Sequence, residues 1–301
     1  MKKFIITIPI LALFIILNFS KNKTENYIAV ISPIVTSTST SPSISIYPET
    51  ILPGNPIIAT ITSSPAPTEI FFDNKSVPIF IYNEKPTAIM AVKLEEKDLE
   101  HNIKVIFESG EIATTPITLT TREKIERPLG IPAKLGGNTP EAGKALVNNL
   151  TKENANLNSI ETEPTILWSE PFQFPLKNNI VTDDYGYSRG TVGYIITHKG
   201  TDFRALEGTD VMAMNRGIVK IARPYVIYGD TIVIDHGLGL QTLYMHLSKI
   251  NVKEGDMVEK GQVIAQSGKT GYAESPHLHI SIKIDGISID PMKFIEFFDV
   301  I

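Results

Sequence analysis

Residues 275–284 read SPHLHISIKI, and the register of that run decides how the second half of the chain is built. In a β-strand, side chains two apart share a face and lie roughly 6.5–7 Å from each other. Leu278, Ile280, Ile282 and Ile284 then form one apolar face, while His277 and His279 share the other with Ser281 and Lys283. Pro276 fixes where the strand starts. Two imidazoles on an open sheet face are idle surface groups unless other ligands converge on them, so the remaining histidines carry the argument.

Five of the six histidines, at 198, 236, 246, 277 and 279, fall beyond Trp168. This region reads as strands throughout: GIVKIA, DTIVID, LQTLYMH, QVIAQSG and HLHISIKI, punctuated by glycine, with a helical pattern first returning at PMKFIEFFDV. It forms an independent β-domain over 166–301. In HKGTDF, His198 and Asp202 are four apart, but Gly200 and Thr201 oppose a helix, and an extended chain would separate the pair by roughly 13 Å. Gly200 supplies the bend that brings imidazole and carboxylate together. Two histidines and one aspartate suit zinc with a fourth position left to water, and His246 in LYMHLS offers a proton acceptor from a third strand.

With those residues in place, the stretch from about Trp168 to Phe298 resembles the M23 family of zinc metallopeptidases, of the lysostaphin and LytM type. HKGTD matches the family's HxxxD element, HLH its HxH element and YMHLS the histidine segment between them. GDMVEKGQVIAQSGKTG resembles the family's glycine-rich hairpin, and SIDP its usual close. The resemblance implies an antiparallel β-roll and one zinc ion per chain, held by His198, Asp202 and His279. It makes His246 and His277 the catalytic pair that activates water and stabilises the tetrahedral intermediate. The implied activity is that of a zinc metalloendopeptidase cutting peptide cross-links of bacterial cell-wall peptidoglycan.

His236 in IDHGLG falls outside the metal set and is expected to be structural. Ile280 and Ser281 stand where the family often has an aromatic and an acid, which removes the usual support behind the ligands. Tyr185, Tyr187 and Tyr194 are the candidates for a hydroxyl that meets the developing oxyanion. Two other classes compete. Family-like proteins that have lost the site act as non-catalytic wall-binding proteins or activators of other hydrolases, but here all three ligands are present. VKEGDMVEKGQVIAQSG also looks like the hairpin of a lipoyl or biotinyl carrier, which would leave the histidines unexplained.

The rest of the chain places this domain. MKKFIITIPILALFIILNFSKNK has two lysines and then an uncharged apolar run, so 1–20 reads as a signal peptide or an anchor in the cytoplasmic membrane, and the protein as exported to the cell envelope. The Ser/Thr-rich segment 21–43 is a linker. Seven short β-type runs over 44–121, spaced by turn formers such as Pro53-Gly54-Asn55, suggest an immunoglobulin-like β-sandwich in which His101 is a lone surface histidine. Spacer, wall-binding module and lid over the groove are the roles open to it. In the connector 122–165, Thr139, Pro140 and Glu141 start a short helix whose stripe is Ala142, Leu146, Leu150 and Leu157. The fold class is therefore mainly β, with a short connecting helix. The absence of cysteine excludes disulfides and thiolate ligands, and 28 basic against 33 acidic residues gives no field for nucleic acid.

Overall fold

The computed structural model describes residues 42–62 and 65–300. The N-terminal apolar segment and nearly all of the linker lie outside the described residues, and no described helix is long and apolar enough to cross a membrane.

The chain is mainly β. Near the N-terminus, strands Ser43–Tyr47, Pro56–Thr62, Lys85–Ala91 and Phe80–Tyr82 form one antiparallel sheet in that order. Lys75–Val77, Pro67–Phe72, Glu100–Phe107 and Ile112–Thr118 form a second. Alternate residues of both, among them Ile57, Ile61, Ile70, Val105 and Phe107, make a shared core. The run VPIFIY does not form one strand: Val77 ends a strand of one sheet and Phe80 begins a strand of the other. Pro78 lies between them and cannot donate to a ladder. His101 is buried rather than on the surface, held between the Asp73 carboxylate and the Asp98 carbonyl.

The second half is built on a ten-stranded antiparallel sheet. Its central order is Val181–Asp183, Thr201–Arg204, His277–Ile284, Leu240–Ile250, Gly229–Gly237 and Gly217–Tyr225. One face carries the large core of Tyr244, Ile280 and Ile282, closed by the helix Pro291–Val300 through Phe294 and Phe298. The sandwich joins this core. Tyr82 packs edge-on against Phe298 at 5.5 Å, Phe80 against Trp168 at 5.5 Å, and Arg122 pairs with Asp290 at 3.5 Å.

The opposite face is covered by the helix Pro140–Asn158. It starts as expected, with the Thr139 hydroxyl accepting from the Ala142 amide at 3.2 Å, and runs 19 residues. Leu157 packs with Val233, Leu243 and Met245, and Leu146 with Ile131 and Ile227. Burial of each such leucine is worth about 1.5–3 kcal/mol. The buried Glu153 carboxylate accepts the backbone N–H groups of Val226, Ile227 and Tyr228, so the helix also fixes the turn before the Gly229–Gly237 strand.

Candidate metal centre

Sheet register brings the site together. Asp202 pairs with His279, and His279 pairs with Met245 on its other side, so three strands contribute neighbouring positions on one row. His198 reaches the row from the bend before the Thr201–Arg204 strand. Gly200 matters here for space: a Cβ at that position would collide with His279 Nε2 and the Ile280 carbonyl. The result is a cluster in which His198 Nε2, Asp202 Oδ1 and His279 Nδ1 lie 2.7–3.1 Å apart, all three residues being buried.

The partners of the outer atoms determine what the inner ones are. His198 Nδ1–H donates to the Asp184 carbonyl at 2.8 Å, leaving Nε2 a bare lone pair. The Ser281 hydroxyl donates to the Lys199 carbonyl at 2.8 Å, so it accepts from His279 Nε2–H at 3.0 Å and leaves Nδ1 bare. Arg189 takes up Asp202 Oδ2 at 2.6 Å and also pairs with Asp183, leaving Oδ1 to face the imidazoles. Three acceptors thus converge with no donor among them, an arrangement that a cation completes. Their chemistry and number match a zinc site with an open position.

Ser281 therefore supplies, behind His279, the support that its residue type had put in question. Alternation along the strand already placed it on the histidine face. Arg189 comes from the run YGYSRG at residues 185–190, on the strand Ser188–Thr191. If the cluster holds zinc, Arg189→Ala should lower its affinity about 10–100-fold while leaving His198, Asp202 and His279 in place, measurable by competition with a chelating dye.

His246 and His277 lie beside the cluster, their rings 4.8 Å apart, and the His246 ring is 6.0 Å from that of His279. His246 reaches this face through a β-bulge. Met245 and His246 together oppose one residue of the neighbouring strand, and His246 has φ 61°, with its N–H bonded to the Tyr228 carbonyl at 2.9 Å. In a regular strand its side chain would enter the core behind the sheet. Its Nδ1–H donates to the Thr270 carbonyl at 2.9 Å, and His277 Nδ1–H to the Ser275 carbonyl at 2.8 Å, so both Nε2 atoms are free acceptors. Burial, reinforced by the neighbouring imidazoles, pulls the His246 pKa down to about 3 and keeps the ring neutral. His236 lies elsewhere, fully buried between the Arg216 carbonyl and the Thr242 hydroxyl, each 2.8 Å away.

A cavity of about 320 Å³ opens onto the cluster, lined by His198, His246, His279, Leu146, Tyr228 and Tyr272 among others. The helix Pro140–Asn158 forms its apolar wall. Tyr185, Tyr187 and Tyr194 do not line it: the Tyr185 hydroxyl is buried on the Ser288 carbonyl, and that of Tyr187 donates to Asp184. The tyrosines of the cleft are Tyr228, bonded to Asn154 Oδ1 at 2.7 Å, and Tyr272.

Residues 196–291 match the sequence profile of peptidase family M23. The chain is 41% identical over 99 residues to the peptidoglycan DD-endopeptidase ShyA of Vibrio cholerae, covering 33% of this chain and 23% of that protein. It is 34% identical over 120 residues to the DD-carboxypeptidase/endopeptidase Mpg of Neisseria meningitidis, covering 40% and 28%. The matched segment thus spans only about a quarter of the length of these relatives. Among solved structures, a putative M23 peptidase from Pseudomonas aeruginosa shares the fold, with TM-score 0.60 and 23% identity over 81% of this chain and 94% of that one.

Proposed function

We propose that the C-terminal domain of this chain, whose residues 196–291 match the profile of peptidase family M23, belongs to that family and is a zinc-dependent endopeptidase that hydrolyses peptide cross-links of bacterial cell-wall peptidoglycan. The observation that carries this reading is the convergence of three bare acceptors beside two imidazoles whose Nε2 atoms are also free. His198, Asp202 and His279 would hold one zinc ion per chain. Zinc so held supplies Lewis acidity, polarising a carbonyl and bringing the pKa of a bound water to roughly 7. The protein's own part is positional and protonic. Arg189 and Ser281 fix the ligands. His246 and His277 form the catalytic pair: Nε2 of one accepts the proton released by water and returns it to the leaving amine nitrogen, while the other stabilises the tetrahedral intermediate. The Thr270 and Ser275 carbonyls take each Nδ1–H and keep both Nε2 atoms as acceptors, the tautomer proton uptake needs, and the ring that stabilises the intermediate does so once it is protonated at Nε2.

The substrate class rests on the relatives, one named a peptidoglycan DD-endopeptidase and another a DD-carboxypeptidase/endopeptidase, and on the reading of the apolar N-terminal run as an export signal. We place the protein in the cell envelope. Metal analysis of the purified full chain should give one zinc per molecule, and incubation with purified peptidoglycan should release peptides, stop with a chelator and resume on adding zinc. Tight binding to peptidoglycan without stoichiometric zinc or cleavage would replace this reading with a non-catalytic one.

A further inference from the structure

On the strand His277–Ile284 the site face continues past His279 and Ser281 to Lys283, a residue to which the proposed reaction gives no role. Lys283 is only 5% exposed. Its Nζ donates to Asn158 Oδ1 at 2.7 Å, a neutral amide at the end of the covering helix. Among the described residues no carboxylate lies within ion-pair distance of it. Burial, with Lys199 nearby, draws its pKa down to about 8, so it still carries its charge at neutral pH. A buried ammonium without an anion is costly, and apolar residues of similar size usually serve stability better.

The position of this charge gives it a use. Lys283 lines the 320 Å³ cavity that contains the three cleft histidines, and also an adjoining cavity of about 240 Å³ walled by Lys93, Lys199 and Ser288. Glu95 is the acid lining both, and Lys199 neutralises it at 2.8 Å. Lys93 and Lys283 are left in excess. Four residues along a strand place Lys283 about 13 Å from His279. An extended peptide covers that distance, less the reach of the lysine side chain, in about two to four residues.

We propose that Lys283, with Lys93 and Lys199 around it, is a subsite for a free carboxylate of the peptide substrate, held about two to four residues from the scissile bond in place of the Asn158 amide. The proposal rests on the peptidase reading above. It makes the cleft selective for anionic peptide stems, through a residue that lies outside the metal centre.

The test compares cross-linked muropeptide dimers with the same dimers after carbodiimide amidation of their free carboxylates, using the full chain. Wild type should favour the native dimer at least about tenfold in kcat/KM, chiefly through KM, as expected for a charge-assisted hydrogen bond. Lys283→Met should bring the ratio to within about twofold of one, and Lys283→Arg should keep most of it. Equal handling of both dimers by wild type, or a Lys283→Met variant that loses rate on both while keeping the ratio, would overturn the subsite and leave Lys283 as a tether for the helix. Calorimetry on metal-stripped protein gives the same comparison without turnover. A tenfold weaker affinity for the amidated dimer in wild type, absent in Lys283→Met, supports the subsite even if neither dimer is cut, a result that would count against the peptidase reading alone. Equal affinities sink it.

Discussion

His279→Ala is expected to yield a folded protein that neither holds zinc stoichiometrically nor cuts peptidoglycan. The Nδ1 atom it removes lies 2.7 Å from Asp202 Oδ1 and 3.0 Å from His198 Nε2, so the set of three acceptors drops to two. Zinc that relied on three protein ligands then loses both affinity and orientation, and the rate should fall at least about a thousandfold, roughly 4 kcal/mol of barrier. The fold should survive because the strand's structural face is the other one: Leu278, Ile280 and Ile282 keep their places in the core. Circular dichroism checks that, and metal analysis with a hydrolysis assay checks the loss. A variant that kept both zinc and activity would remove His279 from the ligand set.

His246→Ala should separate binding from chemistry. The residue is not among the three converging acceptors, so zinc content should stay near one per chain while hydrolysis falls about 10²–10⁴-fold, the range lost with a positioned proton-transfer group. Its left-handed backbone gives a second readout. A non-glycine residue at φ 61° costs roughly 1–2 kcal/mol, which His246→Gly recovers. The glycine variant should therefore be as inactive as the alanine variant yet unfold at a higher temperature than it does. If His246→Ala lost zinc as completely as His279→Ala, the division between ligands and catalytic pair would have to be redrawn.

What could be read from the sequence followed from local periodicity. A period of two put His277, His279, Ser281 and Lys283 on one face, and the Thr139-Pro140-Glu141 cap located the start of the helix. What could not be read depended on partners distant in the chain. The bulge that turns His246 toward the cleft arises where two residues oppose one, and neither strand's own sequence declares that register. The burial of His101 depends on an aspartate 28 positions earlier. The helix stripe was legible, but the surface it covers was not: Leu146, Leu150 and Leu157 are ordinary core-facing leucines until the cavity beside them is seen to hold three histidines. The expected tyrosines were Tyr185, Tyr187 and Tyr194, whereas the cleft is lined by Tyr228 and Tyr272, which stand in turns outside the stretches read as strands.

The covering helix also changes what can be inherited as a unit. The family profile begins at residue 196 and the strand pattern near Trp168, yet the wall of the cleft is supplied by residues 140–158 and the corner of the sandwich by Glu95. A segment transplanted from Trp168 onward would carry His198, Asp202 and His279 but bare Leu243 and Met245 to solvent and leave the 226–228 turn without Glu153. Between proteins that share the core matched by the profile, exchange of function therefore depends on chain that precedes that core. The part most easily aligned is the part that says least about which peptide fits.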